Sequence, residues 1–391
     1  MSPETFAPWS DAEVAALVRR AFRLRPDDRA LGILVDLPDA HRADRPDWRW
    51  RRQLAVSWRD ALVRQQADLG LHVSLFAYRN VRLANADLPS ELTRVDVGAL
   101  PDDAEALAGT AVPLAELLGA HDIVLAPTEL SATAPLKIAA RSHRFRGATL
   151  PGLTPAMVPA LRLDLEAVAR RVDALKALLD RAVGCRVEFR VDGERPHHLA
   201  IDLRHRTAHA SSGLMPEPGM VGNLPSGEAY VVPYEGERVG DPSGTSGELP
   251  VELDGEVVVY VVEHNRATSV RPGGPISERE ALALRAEPAY GNLAELGLGV
   301  LSAFGVEPCG EVLLDEKLGL HIAFGRSDHL GGQVGSKDFS RPEAVVHIDR
   351  VYVPALQPRV CLVRATLAFE RGADVDLIRD DRWVVDFSAA T

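Results

Sequence analysis

Six side chains able to ligate a transition-metal ion fall in the second half of this 391-residue chain: Glu228, Glu295, Glu316, His321, His347 and Asp349. Four of them form two short cassettes, Glu316-Lys-Leu-Gly-Leu-His321 and His347-Ile-Asp349, each set in an apolar, strand-like run. Imidazole nitrogens and carboxylate oxygens together suit a divalent ion of the zinc class. In Ala-Val-Val-His347-Ile-Asp349-Arg-Val-Tyr, strand alternation sends His347 and Asp349 to one face, about 7 Å apart at the usual rise, close enough to share an ion.

The other acids sit in equally distinctive sequence. In Gly222-Asn-Leu-Pro-Ser-Gly-Glu228-Ala-Tyr230 a tight Gly/Pro turn delivers Glu228 at the start of a strand. Tyr290-Gly-Asn-Leu-Ala-Glu295-Leu-Gly-Leu-Gly is an apolar, small-residue stretch expected to be helical, and Glu295 is its lone charge, costly there unless paired or ligated. The His321 segment ends in Ala-Phe-Gly325 and continues Arg326-Ser-Asp328-His329. Any one of these residues alone is more often a satisfied structural group than a ligand. Their recurrence in apolar sequence, where unpaired charges should be absent, is what points to a shared site.

These elements need a scaffold. The first half alternates helical and extended patterns: Ser10-Asp-Ala-Glu13 reads as a capping box opening a helix to about Arg23, followed by a strand Ala30 to Asp36, a Trp- and Arg-rich helix from Trp48 to Leu69, and strands at Leu71 to Tyr78 and His121 to Pro127. Short apolar strands separated by helices predict an open, parallel α/β sheet, Rossmann-like in class. A helix from about Leu163 to Val183 closes that half. Beyond Cys185 the pattern is β-rich and broken by Gly and Pro, with Gly236 to Gly247 a surface loop. The expected organisation is an N-terminal α/β domain, 1–185, and a C-terminal β-rich metal-binding domain, 186–391.

The ordered motifs resemble those of the dinuclear metallo-aminopeptidases of the aminopeptidase T and aminopeptidase S type, over most of residues 120–391 and most closely from Gly222 to Asp349. That resemblance implies Glu228, Glu295, Glu316, His321, His347 and Asp349 as metal ligands. It implies two divalent ions, Zn2+, Co2+ or Mn2+, that activate a water for hydrolysis of N-terminal residues from small peptides. Glu295 is then the natural bridge between the ions, and Glu228 or Glu316 the proton shuttle. A homodimer is also implied. Two departures stand out. Where the family carries a tyrosine soon after the Gly that follows the first ligand histidine, this chain reads Arg326-Ser-Asp328-His329, so His329 is a candidate for that hydrogen-bonding role, for a further ligand or for a plain loop residue. The first 110 residues do not match the family closely.

A second resemblance stays open: His321, His347 and Asp349 also make a two-histidine, one-carboxylate set for mononuclear Fe2+, as in the 2,5-dihydroxypyridine ring-cleaving dioxygenases. Against it stand the three further acids, which one ion does not need. A third possibility is a non-catalytic protein whose ions brace the domain in closed coordination.

Composition narrows the partners. A net charge of −12 and a chain 46% hydrophobic argue for a globular protein without a nucleic-acid or anionic-membrane partner. The first ten residues lack the pattern of a secretory leader, and no run is long enough to span a membrane, so a cytoplasmic location is expected. Cys185, Cys309 and Cys361 are too few and too widely spaced for a disulfide framework or a thiolate cluster. Neither Gly297-Leu-Gly299 nor Gly331-Gly332 completes a nucleotide-binding fingerprint, so no organic cofactor is expected. His197, His198 and His205 are expected at the surface, and Asp36-Leu-Pro-Asp39-Ala-His41 is left without a role.

Overall fold

The computed structural model describes residues 9–95 and 97–387, so part of the N-terminal segment on which the absence of a leader was judged lies outside the described residues. The chain divides into two compact units, one of 1–169 with 213–226 and one of 170–212 with 227–391. The expected boundary at 185/186 falls inside the strand Ala182–Val191, and the sequence gives no sign that 213–226 returns to the first unit.

The first unit is built on a seven-stranded sheet. Five strands, in the spatial order Val221–Asn223, Arg146–Thr149, Ile123–Ala126, Ala30–Leu37 and His72–Arg79, run parallel, and Glu91–Arg94 and Thr110–Pro113 extend it antiparallel. The capping box forms as expected: Ser10 and Glu13 bond reciprocally at the start of the helix Asp11–Phe22. The Trp- and Arg-rich segment is the helix Pro46–Arg64, which buries Trp48 and pairs Arg51 with the buried Glu129 at 2.7 Å. Asp36 finds its role here. Its carboxylate accepts the Glu129 and Leu130 amides at 2.7 and 3.0 Å, tying the segment after the Ile123–Ala126 strand to the Ala30–Leu37 strand.

The second unit contains two antiparallel sheets. One has eight strands, running from Arg266–Val270 at one edge to Arg382–Trp383 at the other. The second has five, in the order His347–Tyr352, Leu320–Gly325, Leu293–Gly299, Glu228–Val231 and His209–Ser211. The helix expected to run to Val183 ends at Leu179, because the chain enters the strand Ala182–Val191.

Alternation along the five strands divides their residues between two faces. Leu320, Ile322, Phe324 and Tyr352 are apolar and buried. Phe324 meets Tyr260 of the eight-stranded sheet edge-on, ring centroids 4.9 Å apart, and Tyr352 meets Phe189 at 4.7 Å. Each such side chain contributes about 1.5–3 kcal/mol by leaving water. That packing fixes which residues face the other way. They are His321, Ala323 and Gly325 on one strand and His347, Asp349 and Val351 on its neighbour, with Glu295, Gly297, Gly299, Glu228 and Tyr230 following across the sheet.

Candidate metal centre

Glu295 lies on the central strand of the five-stranded sheet, not on a helix. Leu293–Gly299 is buried at every position, and a run of small and apolar residues without polar alternation does not distinguish a buried strand from a buried helix by period. Its two glycines are needed for contact across the sheet. A Cβ on Gly297 would lie 1.9 Å from Nε2 of His321, and one on Gly299 would lie 2.2 Å from the Lys317 backbone. The first glycine makes room for an imidazole, the second for the turn that brings Glu316 and Lys317 over the ligand face.

The ligand atoms meet in two groups that share one residue. Glu228, Glu295 and His321 form the first and Glu295, His347 and Asp349 the second, the chosen atoms of each group lying within 4.8 Å of one another. His321 Nε2 stands 3.6 Å from Glu228 Oε2 and 3.5 Å from Glu295 Oε1. His347 Nε2 stands 3.2 Å from the other Glu295 oxygen, Oε2, and 3.6 Å from Asp349 Oδ1. The Nδ1 of His347 contacts the Arg326 carbonyl at 2.8 Å, so with the proton on Nδ1 its Nε2 lone pair faces the carboxylates.

Two buried carboxylate oxygens, Glu228 Oε2 and Asp349 Oδ1, have no hydrogen-bond partner. Buried, unpaired oxygens facing imidazole nitrogens are what a cation would satisfy, and this donor set of two histidines and three acids fits divalent ions of the zinc class.

Glu316, expected as a sixth ligand, belongs to neither group. Its carboxylate is bound by the Lys317 ammonium, which also donates to Glu228 Oε1 at 2.5 Å. Lys317 is only 3% exposed, and the sequence reading gave it no part in the candidate site. A lysine directly after the candidate ligand Glu316, in a Gly-containing turn, is the available signal. His329 lies on the 3-10 turn Asp328–Leu330, its ring edge-on to that of His347 at 5.1 Å. Tyr230 reaches the same face as Glu228, two residues along the strand, and stacks on His209 at 5.1 Å. His197 is paired with Glu248 at 2.7 Å, whereas His198 is exposed as expected.

The electrostatics follow from burial and pairing. Burial alone would pull the two site histidines down, but the neighbouring carboxylates raise His321 to about 9 and His347 to about 11. Burial works against ionised Glu295, yet the two imidazoles hold it down to about 2. Burial pushes Glu316 up to about 8, with the charges of Glu228 and Asp349 adding to the effect and Lys317 opposing it. His329 is lowered to about 4 by burial and by the charge of His347.

No family model and no curated protein matches the chain. Among solved structures it is similar in fold to 2,5-dihydroxypyridine dioxygenase from Pseudomonas putida KT2440, with a TM-score of 0.60 and 14% identity over 97% of this chain and 99% of that one. It is also similar to wild-type AmpT, an aminopeptidase T, from Thermus thermophilus, with a TM-score of 0.54 and 17% identity over 96% and 98%. The likeness extends over nearly the whole chain and establishes a fold shared with two enzymes of different chemistry. Among the described residues no helix is long and apolar enough to cross a membrane.

Proposed function

We propose that the protein is a metal-dependent hydrolase of the aminopeptidase type, acting on the N-terminal residues of small peptides. One observation carries this reading: the two oxygens of Glu295 are divided between two ligand groups, one completed by Glu228 and His321, the other by His347 and Asp349. A carboxylate so placed suits a bridge between two ions, and a single ion has no use for the second group. When bound, a pair of Zn2+, Co2+ or Mn2+ ions supplies Lewis acidity toward a carbonyl oxygen and lowers the pKa of water.

The chain's own residues would do the rest. Lys317 holds Glu228 by one oxygen and leaves the other facing His321, which fixes the carboxylate plane. Glu316, raised above its ordinary value by burial in the metal-free chain, is placed to take up a proton and pass it to a leaving amine. Tyr230 and His329 stand toward opposite ends of the ligand face as neutral hydrogen-bonding groups for the substrate, in place of the tyrosine missing from Arg326-Ser-Asp328-His329.

A second reading is supported by that same departure. With His329 packed against His347, the set His321, His347 and Asp349 resembles the iron site of a ring-cleaving dioxygenase. Metal analysis of the purified protein, together with a panel of aminoacyl-arylamides assayed with Zn2+, Co2+, Mn2+ or Fe2+, separates the two. Two ions per chain and arylamine release are expected. A single oxygen-sensitive iron, with no release under any metal, would overturn the hydrolase.

A further inference from the structure

Glu235 lies seven residues beyond Glu228, outside both ligand groups, and its side chain is only 5% exposed. Its carboxylate gathers three residues from two segments of chain. Oε1 accepts from Asn292 Nδ2 at 2.8 Å and from the Ser327 hydroxyl at 2.6 Å, and Oε2 accepts the Gln333 amide at 2.5 Å. Asn292 immediately precedes the strand that carries Glu295 and also donates to the Gly325 carbonyl at 3.0 Å, at the end of the strand that carries His321. Ser327, fully buried, accepts the Val334 amide at 3.2 Å. The loop from Arg326 to Val334 is thus closed around one carboxylate. Gly332 leaves the necessary space: a Cβ there would lie 2.3 Å from Ser327 Oγ and 2.9 Å from Glu235 Oε2.

This loop touches the second ligand group at two points. The Arg326 carbonyl meets His347 Nδ1 at 2.8 Å, and the His329 ring packs against the His347 ring. Orientation of a ligand imidazole by the partner of its other nitrogen is a lever on metal affinity, typically worth about 10- to 100-fold. We infer that Glu235 is a positioning residue for the second cation: by holding the Arg326–Val334 loop it fixes the carbonyl that aims His347, and so sets affinity at the Glu295/His347/Asp349 group and not at the Glu228/Glu295/His321 group. The inference rests on the two-ion reading above.

The test is calorimetric titration of the metal-depleted protein with Zn2+, comparing wild type, Glu235→Gln and Ser327→Ala. Glutamine keeps the shape of the side chain but presents an NH2 group to donors. Ser327→Ala removes the hydroxyl that donates to Glu235 and accepts the Val334 amide, so it loosens the same loop while leaving the carboxylate in place. Two binding events are expected for wild type. In the variants, one should weaken about 10-fold or more while the other stays within about threefold, with the metal-free chain somewhat less stable but still unfolding cooperatively. Unchanged isotherms, or equal weakening of both events, would overturn the role of Glu235. A wild type that binds a single ion overturns the dinuclear reading, and Glu235 then stands or falls on whether that event weakens in the variants. A wild type that binds none overturns both.

Discussion

Gly297 and His321 are cross-strand partners, and the imidazole of His321 lies over the glycine so closely that a Cβ there would fall 1.9 Å from Nε2. The missing side chain is therefore part of what shapes the candidate site. Gly297→Ala should push the ring off its position and weaken the Glu228/Glu295/His321 group by about 10-fold or more while sparing the other. Titration of the variant with Zn2+ checks this, and wild-type affinity at both groups would show that the ring does not need the space.

The two site histidines should release protons when cations bind. With folded values of about 9 and about 11, both are protonated at pH 7.5 in the metal-free chain, so metal uptake should displace about two protons and affinity should rise with pH. Calorimetry in buffers of different ionisation enthalpy reads the number, and no release would contradict the pairing. The same shifts set metal-free stability. A raised folded value stabilises fully below the unfolded value near 6.5, and that contribution is lost as pH climbs through about 9 and then about 11. Melting temperature of the metal-free protein should therefore decline above about pH 6.5.

Lys317 bonds the buried Glu228 and the partly buried Glu316, so its removal takes away their shared cation. Lys317→Met should destabilise the metal-free protein by about 3–5 kcal/mol, the usual cost of breaking a buried pair from one side. Bound metal should restore part of the loss. Urea unfolding with and without Zn2+ measures both effects, and a variant as stable as wild type without metal would remove the lysine from the site's electrostatics.

Tyr230 and His329 can be separated by kinetics. If the phenol donates to charge developing on the substrate, Tyr230→Phe should lower kcat by about 10²-fold with KM within threefold. Should His329→Ala instead carry the larger kcat loss, the hydrogen-bond donor lies at the His347 end. Equal activity of both variants with wild type would exclude the pair.

Much of this was legible in the sequence, and the reasons are local. His347-Ile-Asp349 reads as two ligands on one face because strand alternation needs only the residues themselves, and the capping box at Ser10 and Glu13 likewise. Glu295 was misplaced on a helix because small apolar residues carry no period, and its strand is set by neighbours contributed from Glu228–Val231 and Leu320–Gly325. The return of 213–226 to the first unit and the hold of Glu235 on Ser327 and Gln333 join residues far apart in the chain, where no spacing rule applies.

The sequence by itself determined which side chains were available, in what order, and that His347 and Asp349 share one face of their strand. Tertiary structure alone decided that Glu295 faces both histidines, that Lys317 bonds both Glu228 and Glu316, and that the His321 ring lies over Gly297. Side-chain direction along a strand is a local property of the backbone. Distance between strands is set by sheet register and by the packing of Phe324 and Tyr352 on the eight-stranded sheet, which exist only once the chain has folded.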